Sequence, residues 1–230
     1  MKTLVFDSGP IISLTGNNLL WILEPLRDAF HGTFLIPRSV YYEIVEHPLV
    51  MKRFKFEAYQ VRQQLEIGVL TLIDDAKVAK LGDELLLLAN NIFSSRGQPL
   101  RICQRGEMEA LAVSILKNAS AVVMDERITR TVVEQPASLQ KILRHRFHNA
   151  ISMNATAAQK IVTTCKNISI IRSVELATIA YERGLLDKYL SRKSSAEERS
   201  SLLDSVLWAV KLHGAAVSED EINEILRIEK

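Results

Sequence analysis

The chain has 230 residues, of which 47% are hydrophobic and 24% are charged, a composition typical of globular proteins and not of disordered ones. Its 29 basic and 27 acidic residues give a formal net charge of +2, so the totals do not indicate nucleic-acid binding, which has to be argued from local patches. Two cysteines in no paired motif exclude a disulfide scaffold, and no apolar run approaches the roughly 20 residues of a membrane span. These totals predict a soluble, cytoplasmic protein without a membrane partner.

Short apolar runs alternate with amphipathic segments along the chain. Strands are predicted over 4–6, 33–36, 69–73, 121–124 and 168–171. Helices are predicted over 11–27 with an interruption near 16–18, and over 40–46, 52–65, 77–93, 106–117 and 174–183. A cluster of turn-forming residues over 94–99 predicts a loop, and Pro48 is expected to end the helix over 40–46. This alternation indicates βαβ units, hence an α/β fold with a mainly parallel central sheet.

The second half of the chain carries a basic stretch and two terminal helices. Its cations are Lys141, Arg144, His145, Arg146, His148, Lys160 and Lys166. They predict either a surface that follows a phosphate backbone or an ordinary exposed helix over 138–148. In the second case Leu139, Ile142 and Leu143 face the core. Residues 191–201 are polar and predict a linker, followed by amphipathic helices over 202–213 and 219–228.

Acidic residues follow two of the predicted strands. Asp7 comes directly after the strand over 4–6, and Asp125 directly after the strand over 121–124. Because the carboxyl ends of parallel strands lie at one edge of a sheet, these side chains can approach each other. Carboxylate oxygens are ligands that hard cations such as Mg²⁺ or Mn²⁺ prefer. A turn or helix-capping role is the alternative for each residue.

Glu43 lies on the helix predicted after Pro37. Helical spacing puts it on one face with Val40, Ile44 and His47, which predicts a carboxylate on a buried stripe. A buried carboxylate needs a cation, a hydrogen-bond donor or a proton. Metal ligation and an ion pair with Arg or Lys both meet that need, and the sequence leaves the two open.

Two further carboxylates, Glu107 and Glu109, open the helix predicted over 106–117. The helix macrodipole stabilises negative charge in a first turn, which is a sufficient reason for either residue. The small side chains of Ala110 and Ala112 leave space beside the carboxylates. Because residues two apart do not share a helix face, we expect only one of the two glutamates to reach a metal, and the sequence leaves open which.

Four separated blocks of the sequence resemble the PIN-domain family. They are VFDSGPII at 5–12, IPRSVYYE at 36–43, GEMEALA at 106–112 and VVMDER at 122–127, in the family's order. The pattern is most similar to a toxin-like branch of archaeal and bacterial PIN proteins whose third block begins Gly-Glu-x-Glu-Ala. The segment over 171–186 also resembles the end of that branch.

The resemblance implies a three-layer α/β/α PIN-like domain over 1–190, with the basic stretch over 134–167 as an insertion and 191–230 as a C-terminal helical extension. It implies a metal-dependent endoribonuclease, toxin-like or RNA-processing, that uses Mg²⁺ or Mn²⁺. RNA is the expected partner, single-stranded or structured, and a homodimer and an antitoxin-type protein partner stay open. Carried over to this chain, the catalytic acids are Asp7, Glu43, Glu107 and Asp125. The implied metal ligands are Asp7, Glu43, Glu107, Glu109, Asp125 and Glu126, with one of each neighbouring pair to be chosen.

Other classes of function are weighed against this one. A catalytically inactive nucleic-acid-binding or protein-interaction module on the same fold is the main alternative, and a nuclease acting on DNA is another. Gly9 stands where a haloacid-dehalogenase-like phosphatase needs a second Asp. The sequence also has no glycine-rich phosphate loop with a lysine, no zinc ligand set and no Ser/His/Asp signature.

Overall fold

A computed structural model describes residues 2–147 and 150–229 of the chain. The β-strands in these ranges are β1 Lys2–Phe6, β2 Gly32–Pro37, β3 Leu70–Ile73, β4 Phe93–Ser95, β5 Gln98–Pro99, β6 Ala121–Val123, β7 Ile151–Met153 and β8 Ile170–Ile171. The α-helices of the first half are α1 Ser8–Gly16, α2 Leu23–Phe30, α3 Arg38–Tyr41, α4 His47–Leu49, α5 Lys55–Glu66, α6 Ala76–Asn90 and α7 Arg105–Lys117. Those of the second half are α8 Arg127–Glu134, α9 Pro136–Phe147, α10 Ala155–Cys165, α11 Ser173–Glu182, α12 Ala196–Leu212 and α13 Glu219–Ile228. Short 3₁₀ turns at Leu20–Ile22 and Leu185–Tyr189 and a π-helical turn at Tyr42–Glu46 join them.

Five strands form a parallel sheet in the order β3-β2-β1-β6-β8. The central strand β1 pairs with β2 through Leu4 and Phe34, and with β6 through Phe6 and Val123. Because all five strands run in one direction, the chain leaves β1, β2 and β6 at the same edge of the sheet. The predicted α/β fold with a parallel central sheet is therefore confirmed.

The sheet separates two hydrophobic cores, because successive side chains of a strand point to opposite faces. Leu4 and Phe6 pack on one face with helices that include α1, α2, α11 and α12. Val5 and Val122 pack on the other face with helices that include α6, α7, α9 and α10. Helices on both faces of one sheet give three layers, which confirms the predicted α/β/α architecture.

The segment after α3 differs from its prediction. The helix continues beyond position 46, through the π turn and into α4, so the prediction that Pro48 ends it is wrong. A proline has no backbone N–H, and its ring conflicts with the preceding turn of an α-helix. The wider hydrogen-bond spacing of a π turn directly before it accommodates both features.

A second, smaller sheet joins the loop region to the insertion. Its strands are ordered β5-β4-β7, and β4 pairs antiparallel with both neighbours. The prediction of a loop over 94–99 is therefore wrong. Arg96 and Gly97 both have positive φ angles, of 50° and 78°, as a tight hairpin turn requires. The partner strand β7 is distant in sequence, so local patterns did not indicate the pairing.

The basic insertion contains α9, β7 and α10. Leu139 and Leu143 of α9 are buried, as the ordinary-helix alternative requires, but Ile142 is exposed and its predicted burial is wrong. Lys160 is exposed on α10, and the predicted basic residue His148 lies outside the described residues. The insertion therefore joins the core on one side and presents cations on the other.

The two C-terminal helices pack against the N-terminal part of the chain. Leu207 of α12 belongs to the same core as Leu4. The hydroxyl of Ser13 on α1 donates to the carbonyl of Val210 at 3.1 Å, 197 residues later. The predicted linker over 191–201 is partly helical, since α12 begins at position 196. Within 2–147 and 150–229, no helix has both the length and the apolar content that a bilayer crossing requires.

Candidate functional site

A cavity of about 240 Å³ lies at the edge of the sheet where β1 and β6 end. Its walls come from the β1–α1 junction, the π turn, the first turn of α7, the β6–α8 junction and the end of α12. The carboxylates in its lining are Asp7, Glu43, Glu107, Asp125 and Glu126. We call this cavity the acidic pocket. Of the six residues predicted as metal ligands, Glu109 is the one that does not line it.

Asp7 is buried between β1 and α1. Its backbone N–H donates to the carbonyl of Val123 at 3.0 Å, which fixes Asp7 against β6. Burial, and after it the negative charges of Glu107 and Glu43, raise the pKa of Asp7 from 3.8 to about 7, although the first amides of α1 act against the rise. In the metal-free protein Asp7 therefore lies between its neutral and ionised forms near pH 7.

Glu107 is buried in the first turn of α7. Its Oε2 accepts a hydrogen bond from the N–H of Gln104 at 3.0 Å and another from the hydroxyl of Thr129. Burial raises the pKa of Glu107, and the two hydrogen bonds lower it in part. Glu107 thus caps its helix from the first turn and also lines the acidic pocket.

Glu109 is buried on a different side of the same helix. Its Oε1 accepts from Nε of Arg105 at 2.8 Å, and its Oε2 accepts from the N–H of Ser39 at 3.0 Å. A Cβ atom added at Gly82 would lie 2.8 Å from Cγ of Glu109, so α6 crosses α7 closely at this point. Both carboxylate oxygens of Glu109 therefore accept hydrogen bonds from other groups of the chain. In Glu107 the two hydrogen bonds described above are both accepted by Oε2.

Asp125 and Glu126 follow β6 in different environments. Oδ1 of buried Asp125 accepts from the N–H of Ser173 at 2.8 Å, and its Oδ2 lies 2.7 Å from the hydroxyl of Ser173. Burial raises the pKa of Asp125, and the hydrogen bonds from Ser173 lower it in part. Glu126 is exposed and caps α8 by accepting from the N–H of Ile128 at 2.9 Å. Both line the pocket, but of the two only Asp125 accepts hydrogen bonds on both of its carboxylate oxygens.

Glu43 is exposed, and the prediction of a buried carboxylate is wrong. The cause is the π turn, which changes the angular spacing and moves residue 43 off the buried stripe of Val40 and Ile44. None of the ion pairs in the described part of the chain involves Glu43. The ion-pair alternative for this residue therefore has no partner among those residues.

Two glycines leave open space between the carboxylates. A Cβ added at Gly106 would lie 3.6 Å from Oδ1 of Asp7 and 3.6 Å from Oε2 of Glu43. A Cβ added at Gly9 would lie 3.5 Å from Cβ of Asp125 and 3.8 Å from Oδ2 of Asp7. Any larger residue at either position would fill the space that the carboxylates surround.

The donor chemistry of the pocket fits a hard divalent cation, since its charged groups are carboxylates and the glycines leave space among them. In residues 2–147 and 150–229, however, no three His, Cys, Asp or Glu side chains converge closely enough to hold one ion. Hydrogen bonds from Thr129 and Ser173 hold Glu107 and Asp125 in the present arrangement. The pocket therefore offers the ligands of a metal site without a formed coordination shell.

Three residues of the site were missed in the sequence. Ser173 follows β8 at the same sheet edge, and Thr129 lies one helical turn after Asp125, so both positions could have been inferred from the strand-end rule. His213 lines the pocket from the end of α12, and its Nδ1 lies 3.0 Å from the carbonyl of Ala209. No local pattern indicates that a helix so late in the chain returns to β1.

Comparison with known proteins identifies the family of the chain. A family model described as a PIN domain matches residues 3–137, more than half of the chain. The chain therefore belongs to the PIN-domain family, whose fold is of the nuclease type and whose members generally depend on divalent metal. Searches of curated proteins and of solved structures found no significant match.

Proposed function

We propose that this chain is a metal-dependent endoribonuclease that hydrolyses phosphodiester bonds at the acidic pocket. The observation that carries the proposal is a set of carboxylates from four separated elements around one small cavity, with no ion pair to any of Asp7, Glu43, Glu107 or Asp125 among the described residues. Buried, mutually repelling carboxylates cost stability unless a cation joins them. Toxin-like and RNA-processing roles need the same chemistry, and the proposal covers both.

Asp7, Glu43, Glu107 and Asp125 would hold Mg²⁺ or Mn²⁺. When bound, such an ion lowers the pKa of water and stabilises negative charge on a phosphate. The chain contributes the positioning: Ser173 orients Asp125, and Thr129 with the N–H of Gln104 orients Glu107. Glu43, which is exposed on the π turn, contributes a carboxylate that can move toward the phosphate without breaking a hydrogen bond of the core.

Two matched substitutions on helix α7, Glu107→Gln and Glu109→Gln, test the proposal. Cleavage of a fluorescently labelled RNA is measured with Mn²⁺, with Mg²⁺ and with EDTA. Glu107→Gln and Asp7→Asn should lower the metal-dependent rate by at least about 100-fold, because loss of a ligand costs more than the 10–100-fold of an outer-shell partner. Glu109→Gln, the same change two residues away, should keep the rate within a few-fold. Equal losses in Glu107→Gln and Glu109→Gln would contradict the assignment.

Glu43→Gln separates catalysis from folding. Because Glu43 is exposed, this change should leave the free energy of unfolding within about 0.5 kcal/mol of wild type while abolishing cleavage. Circular dichroism and the same cleavage assay measure the two effects. A variant that unfolds, or one that cleaves normally, would remove Glu43 from the proposed ligand set.

A second function, an inactive nucleic-acid-binding module on the same fold, is favoured by one observation. No three metal-ligating side chains converge in the part of the chain that the structure describes. That reading predicts RNA binding without cleavage by the wild-type protein in Mn²⁺. Parallel assays with DNA of the same sequence distinguish a ribonuclease from a nuclease acting on DNA.

A further inference from the structure

A surface next to the π turn exposes an unusual number of large hydrophobic side chains. It comprises residues 50–54, which connect α4 to α5, and the first turns of α5 itself. Its exposed hydrophobic residues are Val50, Met51, Phe54, Phe56 and Tyr59. Val50 is 81% exposed and Phe56 is 71% exposed, so these side chains do not serve the core. Grouped exposure of this kind marks an interaction site, and we call it the aromatic surface.

Positive charges alternate with the rings of the aromatic surface. Lys52, Arg53 and Lys55 are all exposed, and residues 50–56 contain no acid. The guanidinium of Arg53 lies 4.5 Å from the ring centroid of Phe54. Basic residues interleaved with aromatic rings are the arrangement by which proteins bind single-stranded nucleic acid, with stacking on the rings and attraction of the phosphates.

The backbone at Phe54 is strained. Its φ of 62° and ψ of 14° lie in the left-handed region, which a bulky residue rarely adopts. The strain does not bury the ring, because Phe54 is exposed. Strain of this kind persists where it places a group for a function, and here it presents an aromatic ring at the start of α5.

The aromatic surface adjoins the π turn, which lines both the acidic pocket and a larger cavity beside it. This cavity, of about 720 Å³, shares Glu43, Gln104 and Gly106 with the pocket. Tyr42 and His47 also line it, with ring centroids 6.0 Å apart. Helix α5 packs against the π turn that carries Tyr42. The aromatic surface therefore lies next to the π turn, whose Glu43 lines the acidic pocket.

We propose that the aromatic surface binds single-stranded RNA on one side of the bond to be cleaved. The inference rests on the proposed function, since it assigns this surface to the same substrate. Bases would stack on Phe54, Phe56 and Tyr59. Lys52, Arg53 and Lys55 would contact phosphates. The substrate class is thereby narrowed to RNA with an unpaired segment, because base-paired RNA does not offer its base faces for stacking.

Two other occupants fit the surface less well. A symmetric dimer would bring the same patch of two copies together, and Lys52, Arg53 and Lys55 of each would then face like charges. A membrane-surface helix needs a continuous apolar face, whereas α5 exposes Gln63 and Glu66 after Tyr59. RNA is the occupant that uses both the rings and the charges.

The test is RNA binding in the Asp7→Asn background, where the substrate survives. Fluorescence anisotropy with a labelled single-stranded oligonucleotide of twelve nucleotides gives Kd and its salt dependence. Phe56→Ala and Tyr59→Ala should each weaken binding about tenfold. Phe54→Gly removes the ring and the strain together, so binding that is lost without any loss of stability would assign the effect to the ring. The matched control is Leu87→Ala, a 68% exposed hydrophobic residue on α6.

Charge is tested separately from stacking. Replacing Lys52, Arg53 and Lys55 with Gln should flatten the slope of log K against log salt by about two units, since each phosphate contact on a single strand contributes about −0.7. The control replaces three exposed cations to which no binding role is assigned, Lys117, Arg192 and Lys193. The inference is overturned if the triple variant of the aromatic surface has the same affinity for RNA and the same salt slope as the control variant. Variants that lose only self-association in sedimentation, or only binding to anionic vesicles, would also overturn it.

Failure of this inference can be told from failure of the proposed function. A dinucleotide substrate has no bases beyond the two that flank the cleaved bond, so its cleavage tests the acidic pocket apart from stacking on the aromatic surface. If the inference holds, Phe56→Ala protein with the native Asp7 keeps metal-dependent cleavage of the dinucleotide and loses efficiency on the longer RNA. Equal efficiency of variant and wild type on both substrates would overturn the aromatic surface and leave the ribonuclease assignment in place.

Discussion

Two neighbouring groups of carboxylates in this molecule have opposite electrostatics. In the acidic pocket, burial and mutual repulsion raise the pKa of Asp7 to about 7, and no ion pair among the described residues offsets it. Beside it, Arg172 binds Glu175 at 2.5 Å and Glu221 at 2.7 Å. There, although partial burial acts to raise it, hydrogen bonds from Ser218 and Arg172 lower the pKa of Glu221 to about 2.

The difference shows which carboxylates stabilise the fold and which are held at a cost. The Arg172 group joins α11 to α13 and supplies its own cation. In the acidic pocket, hydrogen bonds offset the cost of burial only in part, and a proton or an added ion can supply the rest. Substitutions and pH changes in the two groups should therefore have opposite signs.

The largest expected effect concerns Asp7 in the metal-free protein. The pKa of Asp7 is higher in the folded protein than in the unfolded chain. The stabilisation that protonated Asp7 contributes is therefore complete below pH 3.8 and is lost as pH rises toward about 7. A shift of this size corresponds to about 4 kcal/mol. Asp7→Asn should therefore be more stable than wild type at pH 8 by up to that amount, and equal to it at pH 4. Urea unfolding in EDTA at both pH values measures the difference, with Asp204→Asn as the control.

The next effect is a loss in the paired group. Arg172→Ala removes the guanidinium that joins Glu175, Glu221 and the carbonyl of Ala216, and it should destabilise the protein by about 3 kcal/mol. Arg199→Ala removes an exposed pair with Asp187 and should have a much smaller effect, because solvent screens such a pair. Denaturant unfolding of both variants at pH 7 measures the contrast. A similar loss of unfolding free energy in the two variants would contradict the distinction between a partly buried network and a surface pair.

Added metal should stabilise the folded protein through the acidic pocket. An ion that binds only the folded protein stabilises it by about 2.7 kcal/mol at 100 times its Kd, which for a chain of this size raises Tm by roughly 5–10 °C. Mn²⁺ should have this effect on wild type and not on Asp7→Asn. Calorimetry with and without Mn²⁺ measures the shift, and an identical response of wild type and variant would contradict the assignment of Asp7 as a ligand.

The smallest effect is expected at Glu221. Its folded pKa lies below the unfolded value of 4.5, so its stabilisation is present above pH 4.5 and is lost as pH falls toward about 2. Because the side chain is partly exposed, screening reduces the contribution to about 1 kcal/mol. Glu221→Gln should therefore destabilise the protein by about that amount at pH 7, and by less at pH 3 or in high salt. A difference that grows as pH falls would reverse the assigned sign.

The strands, and the acids that follow them at one edge of the sheet, were predictable because both depend on local sequence patterns. Runs such as Val5-Phe6 and Val122-Val123 are short and apolar, and an acid at the end of each follows the rule for parallel sheets. The positions of Asp7 and Asp125 at one edge of the sheet follow from these runs.

The errors have physical causes that a sequence does not display. The π turn inserts extra backbone into a helix, so the 3.6-residue period placed Glu43 on the wrong face. The choice between Glu107 and Glu109 depends on partners from other elements, Thr129 for one and Ser39 for the other. The hairpin at 94–99 depends on a strand more than fifty residues later.

The return of α12 to β1 sets an order of events during synthesis. All of the pocket's carboxylates lie within residues 7–126, but the wall that contains His213 is translated later and docks through contacts such as that of Ser13 with Val210, 197 residues apart. Contacts of such sequence separation form slowly, because a long loop has to close first. A nascent chain on the ribosome therefore carries its acids before it carries a finished pocket.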